Sequence, residues 1–315
     1  MKYIGKKFIT LIITLLCISA VTFAAFTVIP GNAAITKLGV DATPEMIAEL
    51  EKELGLDQPL PVRYLNWLKG AVKGDFGESL QYDNTTVTSL LAARLPVTVL
   101  LAVMAFILII AVSIPLGILS ARFSGKLPDI FINIITQITM AIPPFFLGII
   151  LTYIFGLLLQ WFQPGAFVPI TEDFGACAKY LLFPAIAVAL PKIAMAVKFL
   201  RNSVLSEMNL DYVRTAYSRG NTKNSVLYRH VLKNAFIPVI TFMALTVGEI
   251  LAGSIVVEQV FSVPGVGRLL ITAISSRDYN VVQAIVMYVT TLVVSINFLV
   301  DILYQLIDPR IRISG

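Results

Sequence analysis

The stretch DYVRTAYSRGNTKNSVLYRHVLKNAFIP, residues 211–238, is a polar and basic island between two apolar runs. Its basic character begins slightly upstream and rests on seven side chains: Lys198, Arg201, Arg214, Arg219, Lys223, Arg229 and Lys233. Lys and Arg concentrate in the cytoplasmic loops of membrane proteins. If the flanking runs cross a membrane, the island is therefore predicted to be cytoplasmic.

Two short helices are predicted within the island. The first is expected over residues 207–219, because Gly220 suits the left-handed residue that commonly follows a helix. The second is expected over residues 222–236, with Asn221 or Thr222 as its N-cap. The island is thus predicted to be a helical turn rather than an unstructured loop.

The composition indicates an integral membrane protein. Of 315 residues, 57% are hydrophobic and 14% are charged, with a mean hydropathy of +0.84, whereas soluble domains are about 25% charged. The net charge of +5 is explained by cytoplasmic Lys and Arg, and no nucleic-acid partner is expected. Two Cys and one His give no basis for a disulfide or a metal site.

Six apolar runs are predicted to span the bilayer, so the expected fold class is an all-α polytopic membrane protein. The first run has about 22 residues, which favours a retained helix over a cleaved signal peptide with its apolar region of about 7–15. Six spans place both termini and the island on the cytoplasmic side. Pro238 is expected to mark the turn from the island into the fifth run. The runs are 8–29, 96–121, 130–159, 181–200, 237–257 and 281–306.

Between the first two runs, residues 30–95 form a polar segment that is expected outside the cytoplasm. An amphipathic helix is predicted over 43–55, with Thr43 as N-cap and Gly55 at its end. A second amphipathic helix is predicted around Tyr64 and Trp67. The segment is therefore predicted to be a helical cap.

Four polar or ionisable side chains lie inside the apolar runs: Gln137, Lys192, Glu249 and Asp301. Such residues suggest function, because a charge in hydrocarbon is costly. Lys192 and Glu249 are predicted about 13 and 16 Å from the inner boundary, at about 1.5 Å per residue. They could pair or share a polar path, or remain separate, with Lys192 snorkelling. Asp301 is assigned a structural role.

The proline pair Pro143–Pro144 interrupts the third run near its middle. Prolines are tolerated in membrane helices where neighbouring groups satisfy the freed carbonyls. The break is consistent with a broken helix that lines a path, and equally with a packing kink.

Several separated motifs resemble the permeases of ABC importers of the dipeptide, oligopeptide and nickel class. In the island, Thr215–Ala216, Gly220 and Ile237–Pro238 match the small pair, the glycine and the ending of that family's cytoplasmic coupling loop. Further matches are LGLDQPLPVRYLNWL and GDFGESL within 54–80, EQVFSVPGVGRLL at 258–270, RDY at 277–279 and DPRIR at 308–312. The resemblance covers nearly the whole chain.

The resemblance implies a type I ABC importer permease fold in the bacterial cytoplasmic (inner) membrane. It divides the chain into a transmembrane helix over 1–30, the extracytoplasmic cap over 31–95 and a five-helix core over 96–315. The ATPase-coupling loop would be 201–236. Its expected coupling residues are Asp211, Arg214, Thr215, Ala216, Arg219 and Gly220. The expected translocation path includes Gln137, Pro143, Pro144, Lys192 and Glu249.

The same resemblance implies the partners of the chain. They are a second homologous permease, cytoplasmic ATPase subunits, an extracytoplasmic solute-binding protein and membrane lipid. The sequence has no G-x-x-x-x-G-K-[ST] motif, so ATP and Mg²⁺ are expected on the ATPase subunits and no catalytic residue is expected here. Dipeptides, oligopeptides, opine–metal complexes and nickel chelates all remain open as substrates.

Two other classes of protein are alternatives. An ion-coupled secondary transporter would use Lys192 and Glu249 as coupling residues, but the sequence lacks the inverted repeats expected of such carriers. A non-transporting scaffold is disfavoured by the midmembrane charges and the proline break. Transport that survives removal of the ATPase would favour the first alternative.

Overall fold

The computed structural model of the protein describes residues 2–28, 33–38, 42–53 and 55–307, and helices dominate these ranges. No β-strand occurs in them beyond an isolated antiparallel bridge between Glu78 and Thr86. The α-helices are α1 (Lys2–Val28), α2 (Ala33–Leu38), α3 (Pro44–Glu53), α4 (Leu60–Val72), α5 (Val87–Arg122), α6 (Leu127–Ala141), α7 (Pro144–Leu151), α8 (Phe174–Met208), α9 (Asp211–Ser218), α10 (Lys223–Ser225), α11 (Leu232–Val260), α12 (Val266–Ser275) and α13 (Tyr279–Ile307). Two π-helical segments, Thr152–Leu158 and Val226–Val231, follow α7 and α10.

Five helical stretches are long and apolar enough to cross a membrane, and a bent pair completes the six predicted spans. The five lie in α1, α5, α8, Lys223–Val260 and α13. The pair consists of α6 and of α7 with its π-helical continuation, and the two parts are bent by 98°. The predicted all-α polytopic fold is confirmed.

The bend in the third span arises at the predicted proline pair. Ile142 and Pro143 are extended, and Pro144 begins α7. Neither proline can donate a backbone hydrogen bond, so the helix ends at Ala141 and restarts in a new direction. The sequence located this break correctly.

Three predicted boundaries are wrong. Pro238 lies inside a helix that continues to Val260, so it marks no turn. The first island helix is not continuous over 207–219, because α8 ends at Met208 and α9 begins at Asp211. The second span begins at Val87 rather than at residue 96. At Val87 and Pro238 a helix extends beyond the limit predicted from the sequence, whereas the first island helix is interrupted at residues 209–210.

The two predicted cap helices are confirmed as α3 and α4. The Thr43 hydroxyl accepts the Met46 amide at 3.4 Å, which caps α3. Gly55 follows α3 with a φ of +65°, the left-handed value that favours glycine. A short helix that the sequence did not predict, α2, precedes them.

The chain forms two compact units. The first comprises Met1–Thr98 and Pro264–Ser295, and the second comprises Val99–Val263 and Ile296–Gly315. Both α5 and α13 contribute to each unit. The sequence-based division at residues 30 and 95 follows membrane spans and remains a prediction about topology.

In the first unit, two family-like motifs that are about 200 residues apart in sequence come into contact. Ser79, from the GDFGESL run, donates a hydrogen bond to Asp278, from the RDY run, and both side chains are buried. Asn280 donates to the Glu78 carbonyl at 2.8 Å. These contacts fix the segment before α5 to the start of α13. The buried core of the same unit includes Val87, Leu269 and Ile285.

In the second unit, α8 is the central helix. It packs against α6, α7 and α11, and 72% of its most apolar window is buried, compared with 33% for the windows in α5 and Lys223–Val260. Pro184 and Pro191 lie within α8 without ending it. Since α8 leads into the island, the most buried span positions the candidate coupling segment.

Candidate functional site

One face of α9 and the turn that follows it form part of the exposed surface of the island. Val213 and Ala216 are buried and the opposite face is polar, so α9 is a short amphipathic helix. Five of the six predicted coupling residues are exposed: Asp211, Arg214, Thr215, Arg219 and Gly220. Arg214 lies 3.5 Å from Asp211, and both side chains are largely exposed.

Ala216 has a different environment from the other predicted coupling residues. It is only 6% exposed, and α9 packs against the π-helical segment of the island. Its small side chain therefore lets two parts of the island lie close together, and the prediction that Ala216 itself meets a partner does not fit this burial.

The turn after α9 confirms the predicted role of Gly220 as a helix-ending residue. Its φ is +81°, its amide donates to the Tyr217 carbonyl at 2.9 Å, and the Asn221 amide donates to the Ala216 carbonyl at 3.4 Å. These two bonds define a Schellman motif. An added Cβ at Gly220 would meet no atom within 4 Å, so the constraint on this position comes from backbone conformation.

The sequence did not predict how much of the turn depends on Asn221. Its side-chain amide donates a further bond to the Ala216 carbonyl at 3.0 Å, and its carbonyl oxygen accepts the Ser225 hydroxyl at 3.3 Å. Thr222 is the N-cap of the next helix and accepts the Ser225 amide. Asn221 therefore joins the end of α9 to the start of α10.

Tyr212 connects α9 to the end of α8. Its hydroxyl donates a 2.6 Å hydrogen bond to the Glu207 carboxylate. Burial, together with this bond to a carboxylate, raises the pKa of Tyr212 above its ordinary value. A neutral tyrosine is thus the stable form here, and it holds α9 on α8.

At the start of α6, Asp129 is the centre of a buried polar cluster that the sequence analysis missed. Arg201 of α8 donates two bonds to its carboxylate, each at 2.7 Å. Three further donors contact the same carboxylate: the Ser120 hydroxyl at 2.5 Å, the Gly125 amide at 2.8 Å and the Asn133 amide group at 2.7 Å. We call this set the inner knot. The available signal was an acid next to Gly125 and Pro128 in an otherwise basic loop.

Further along α8, Lys192 forms an ion pair with Glu249 of α11. The Lys192 side chain is 20% exposed and that of Glu249 is 55% exposed. The sequence left open whether Lys192 and Glu249 pair or remain separate, and the structure shows them paired. The pair joins the central helix to the helix that leads out of the island.

Gln137 is also close to a basic residue. Lys198 of α8 donates a hydrogen bond to its side-chain oxygen. Gln137 is on α6, just before the break at Pro143 and Pro144. The path residues suggested by the sequence thus lie on α6, α8 and α11 and at the start of α7, within one unit.

The polar side chains described above form hydrogen bonds and ion pairs between helices. Among residues 2–28, 33–38, 42–53 and 55–307, no group of three or more His, Cys, Asp or Glu side chains could hold a metal ion. These hydrogen bonds and ion pairs connect α6, α8 and α11 to one another, and the bond between Tyr212 and Glu207 connects α8 to the exposed helix α9. Six candidate spans, with an exposed amphipathic helix between two of them, agree with the permease class that the sequence motifs suggested.

Comparison with known families agrees with this class. Residues 113–313 match the profile of the binding-protein-dependent transport system inner membrane component, and residues 1–102 match the N-terminal profile of the same kind of component. The chain belongs to the family of binding-protein-dependent transport system inner membrane components. It is a multi-pass membrane protein and the transmembrane permease subunit of an ABC importer.

Relatives named as peptide permeases align over nearly the whole chain. The probable peptide ABC transporter permease protein y4tP of Sinorhizobium fredii is 34% identical over 98% of this chain and 99% of its own length. The oligopeptide transport system permease protein AppB of Bacillus subtilis is 36% identical over 98% and 99%. A putative peptide transport system permease protein of Brucella abortus is 36% identical over 98% of each chain.

Proposed function

We propose that this permease carries short peptides. The observation that supports this cargo is the near full-length similarity to relatives whose names specify peptide or oligopeptide transport. An opine–metal complex or a nickel chelate, both compatible with the sequence motifs, has no such support. The ion-coupled alternative is likewise without a supporting observation.

The proposed machine has four kinds of component. This chain pairs with a second, homologous permease in the cytoplasmic membrane, and an extracytoplasmic solute-binding protein delivers the peptide. Cytoplasmic ATPase subunits bind ATP and Mg²⁺ and hydrolyse the nucleotide, so this chain itself performs no chemical step. The basis for these partners is the family, whose name denotes dependence on a binding protein.

The proposed coupling contact is the exposed face of α9 with the turn at Gly220. Asp211, Arg214, Thr215 and Arg219 are available to an ATPase surface, and guanidinium groups suit carboxylates through paired N–H donors. The inner ends of α8 and α11 flank the island. Movement of the ATPase would therefore tilt these two helices, which carry the proposed path residues Lys192 and Glu249.

Both termini and the island are proposed to be cytoplasmic, with the cap outside. Single cysteines at two exposed lysines test this orientation: Lys52→Cys in α3 and Lys223→Cys in the island, in a background without Cys17 and Cys177. In intact cells an impermeant thiol reagent should label the first and spare the second. The opposite pattern would reverse the topology.

ATP-dependent uptake tests the function itself. Proteoliposomes with the complete importer should accumulate a labelled tripeptide only when ATP and the binding protein are present. Arg214→Glu combined with Arg219→Glu should abolish uptake and co-purification of the ATPase, because the reversed charges would repel the carboxylates of the partner. Both side chains are exposed, so the fold should not change. Lys126→Glu, in another predicted inner loop, is the matched control and should transport normally. Peptide uptake that needs no ATP would instead support the secondary transporter.

A further inference from the structure

A cavity of about 720 Å³ lies in the first unit, lined by residues of α1, α3, α4, the segment before α5 and the start of α13. Small-molecule sites typically occupy about 300–1,000 Å³ and combine aromatic walls with a few polar groups. None of the candidate coupling or path residues lines this cavity. We call it the cap cavity.

Helical periodicity explains why α4 and α1 each present several side chains to the cap cavity. Arg63, Asn66 and Trp67 are three and four residues apart on α4, so they share one face. Phe23 and Phe26 are similarly spaced on α1. The cavity is therefore built into the packing of regular elements, and its lining is fixed by them.

Aromatic rings form the apolar wall. Phe23 contacts Trp67 with a centroid separation of 5.9 Å, and Phe26 contacts Tyr279 at 6.0 Å. Phe23 also packs against Tyr64 at 5.5 Å. Aromatic rings with fixed neighbours offer a firm surface both to apolar side chains and, through their faces, to cations.

The charged side chains around the cap cavity are mostly acidic. Among the described residues that line it, three are carboxylates, Glu51, Glu53 and Asp75, whereas one is a guanidinium, Arg63. This excess favours a ligand with a positive group. Arg63 provides a place for one negative group, which suits a ligand that carries both charges.

Gln283 is the observation that points most directly to a ligand. It is 9% exposed and lines the cavity. No hydrogen bond joins its side-chain amide to another residue of the described part of the chain. By contrast, the Asn280 amide is bound to the Glu78 carbonyl. Because Gln283 lines the cavity and its side-chain amide can both donate and accept hydrogen bonds, it is suited to bind a polar group that enters.

We propose that the cap cavity binds a short peptide with free termini. This inference rests on the proposed peptide cargo and adds a second binding site for it. The ammonium group binds the acidic side, the terminal carboxylate binds Arg63, a peptide amide binds Gln283, and an apolar side chain packs on the aromatic wall. The cap thereby holds peptide at the permease apart from the path residues.

A phospholipid is the main competing occupant, because α1 is a membrane helix. A zwitterionic headgroup carries the same two charges as a peptide, so the acyl chains distinguish the two occupants: hydrocarbon would lie against the charged and amide groups that line the cavity, which is unfavourable. The amide at Gln283 also suits a peptide bond better than an acyl chain. The cavity chemistry thus favours the peptide.

Photocrosslinking of the assembled importer in nanodiscs, without ATP, tests the proposal. The probe is the tripeptide Ala–benzoylphenylalanine–Ala, and the crosslinked residues are mapped by mass spectrometry. Crosslinks should occur on α1, α4 or the start of α13, and the N-acetylated probe should give at least tenfold less product. Glu53→Gln and Gln283→Leu should each lower the yield at least threefold, whereas Glu49→Gln, on α3 but outside the cavity, should not change it.

Two results would overturn the site. One is that crosslinks do not occur on these helices, or that their yield is unchanged by acetylation of the probe and by Glu53→Gln. Glu53 is exposed, so this change should not affect folding. The other is a yield that rises severalfold in nanodiscs without phosphatidylethanolamine, since that lipid would then be the occupant. If ATP-dependent uptake persists in either case, the proposed function stands and only this inference fails.

Discussion

Two ion pairs that both include α8 differ in burial and in hydrogen bonding. In the inner knot, the Asp129 side chain is 4% exposed and that of Arg201 is 20% exposed, and five donor contacts reach the Asp129 carboxylate. In the Lys192–Glu249 pair, Glu249 is 55% exposed and its carboxylate accepts a hydrogen bond from Lys192. One pair is enclosed by the fold, and the other is open on one side.

This difference indicates different roles. A buried charge is tolerated only when its partner and its hydrogen bonds are complete, and the loss of one partner is then costly. The inner knot therefore acts as a fixed joint between α6 and α8. The Lys192–Glu249 pair can open at a smaller cost, so it is compatible with helices that move during transport.

The largest expected effect is on the inner knot. Asp129→Asn keeps the size of the side chain but leaves Arg201 buried without a counter-charge, which should lower the free energy of unfolding by about 3–5 kcal/mol. Thermal unfolding of the detergent-purified protein measures the loss. The double change Asp129→Asn with Arg201→Met should recover part of it. An unaltered melting temperature for Asp129→Asn would show that the knot is not the fixed joint described above.

At Gly220, backbone conformation limits which residue the turn accepts, whereas charge pairing is what matters at the two ion pairs. Gly220→Val forces a β-branched residue into a φ of +81°, at a cost of about 1–2 kcal/mol. Gly74→Val is the matched control, since Gly74 has a φ of +79° and equally open surroundings. Both changes should destabilise similarly, but only Gly220→Val should reduce co-purification of the ATPase. Equal retention of the ATPase by both variants would remove Gly220 from the coupling contact.

The sequence predicted the elements that depend on local pattern. Apolar runs of membrane length, the break at Pro143–Pro144, the Thr43 cap and the left-handed Gly220 all follow from periodicity or from one residue's backbone preference. Reliance on local pattern also explains the wrong boundary at Pro238. Pro238 reads as a breaker in isolation, yet the surrounding packing carries the helix through it.

What the sequence could not predict are contacts between distant segments. Asp129 and Arg201 are 72 residues apart, and Ser79 and Asp278 are 199 apart, so no local pattern links them. For Lys192 and Glu249 the sequence offered pairing as one of several open alternatives, because a charge in hydrocarbon is costly and the two residues were predicted at similar depths. The burial of Ala216 depends on a neighbouring segment and was missed for the same reason.

Tyr212 offers a neutral counterpart to the two ion pairs. Tyr212→Phe removes the hydrogen bond to Glu207 and should cost about 1 kcal/mol. Because burial raises the folded-state pKa of Tyr212 above about 10, its contribution is complete below pH 10 and is lost as the pH rises through the folded-state pKa. Unfolding midpoints should therefore fall more steeply above pH 10 for the wild type than for Tyr212→Phe. Parallel curves would mean that this tyrosine is not linked to stability.

The smallest expected effect concerns the open pair, and it decides whether the comparison holds. Lys192→Met and Glu249→Gln each leave one charge without its partner and should slow peptide uptake. The double variant should recover part of the loss, with a coupling of about 0.5–1 kcal/mol, since Glu249 is more than half exposed. Lys198→Met combined with Glu249→Gln is the control and should be additive, because Lys198 binds Gln137 instead. If the Lys192–Glu249 cycle is also additive, the two residues do not act as a pair during transport. If its coupling instead reaches the 3–5 kcal/mol expected of a buried pair, the site is closed in the assembled importer and the distinction from the inner knot disappears.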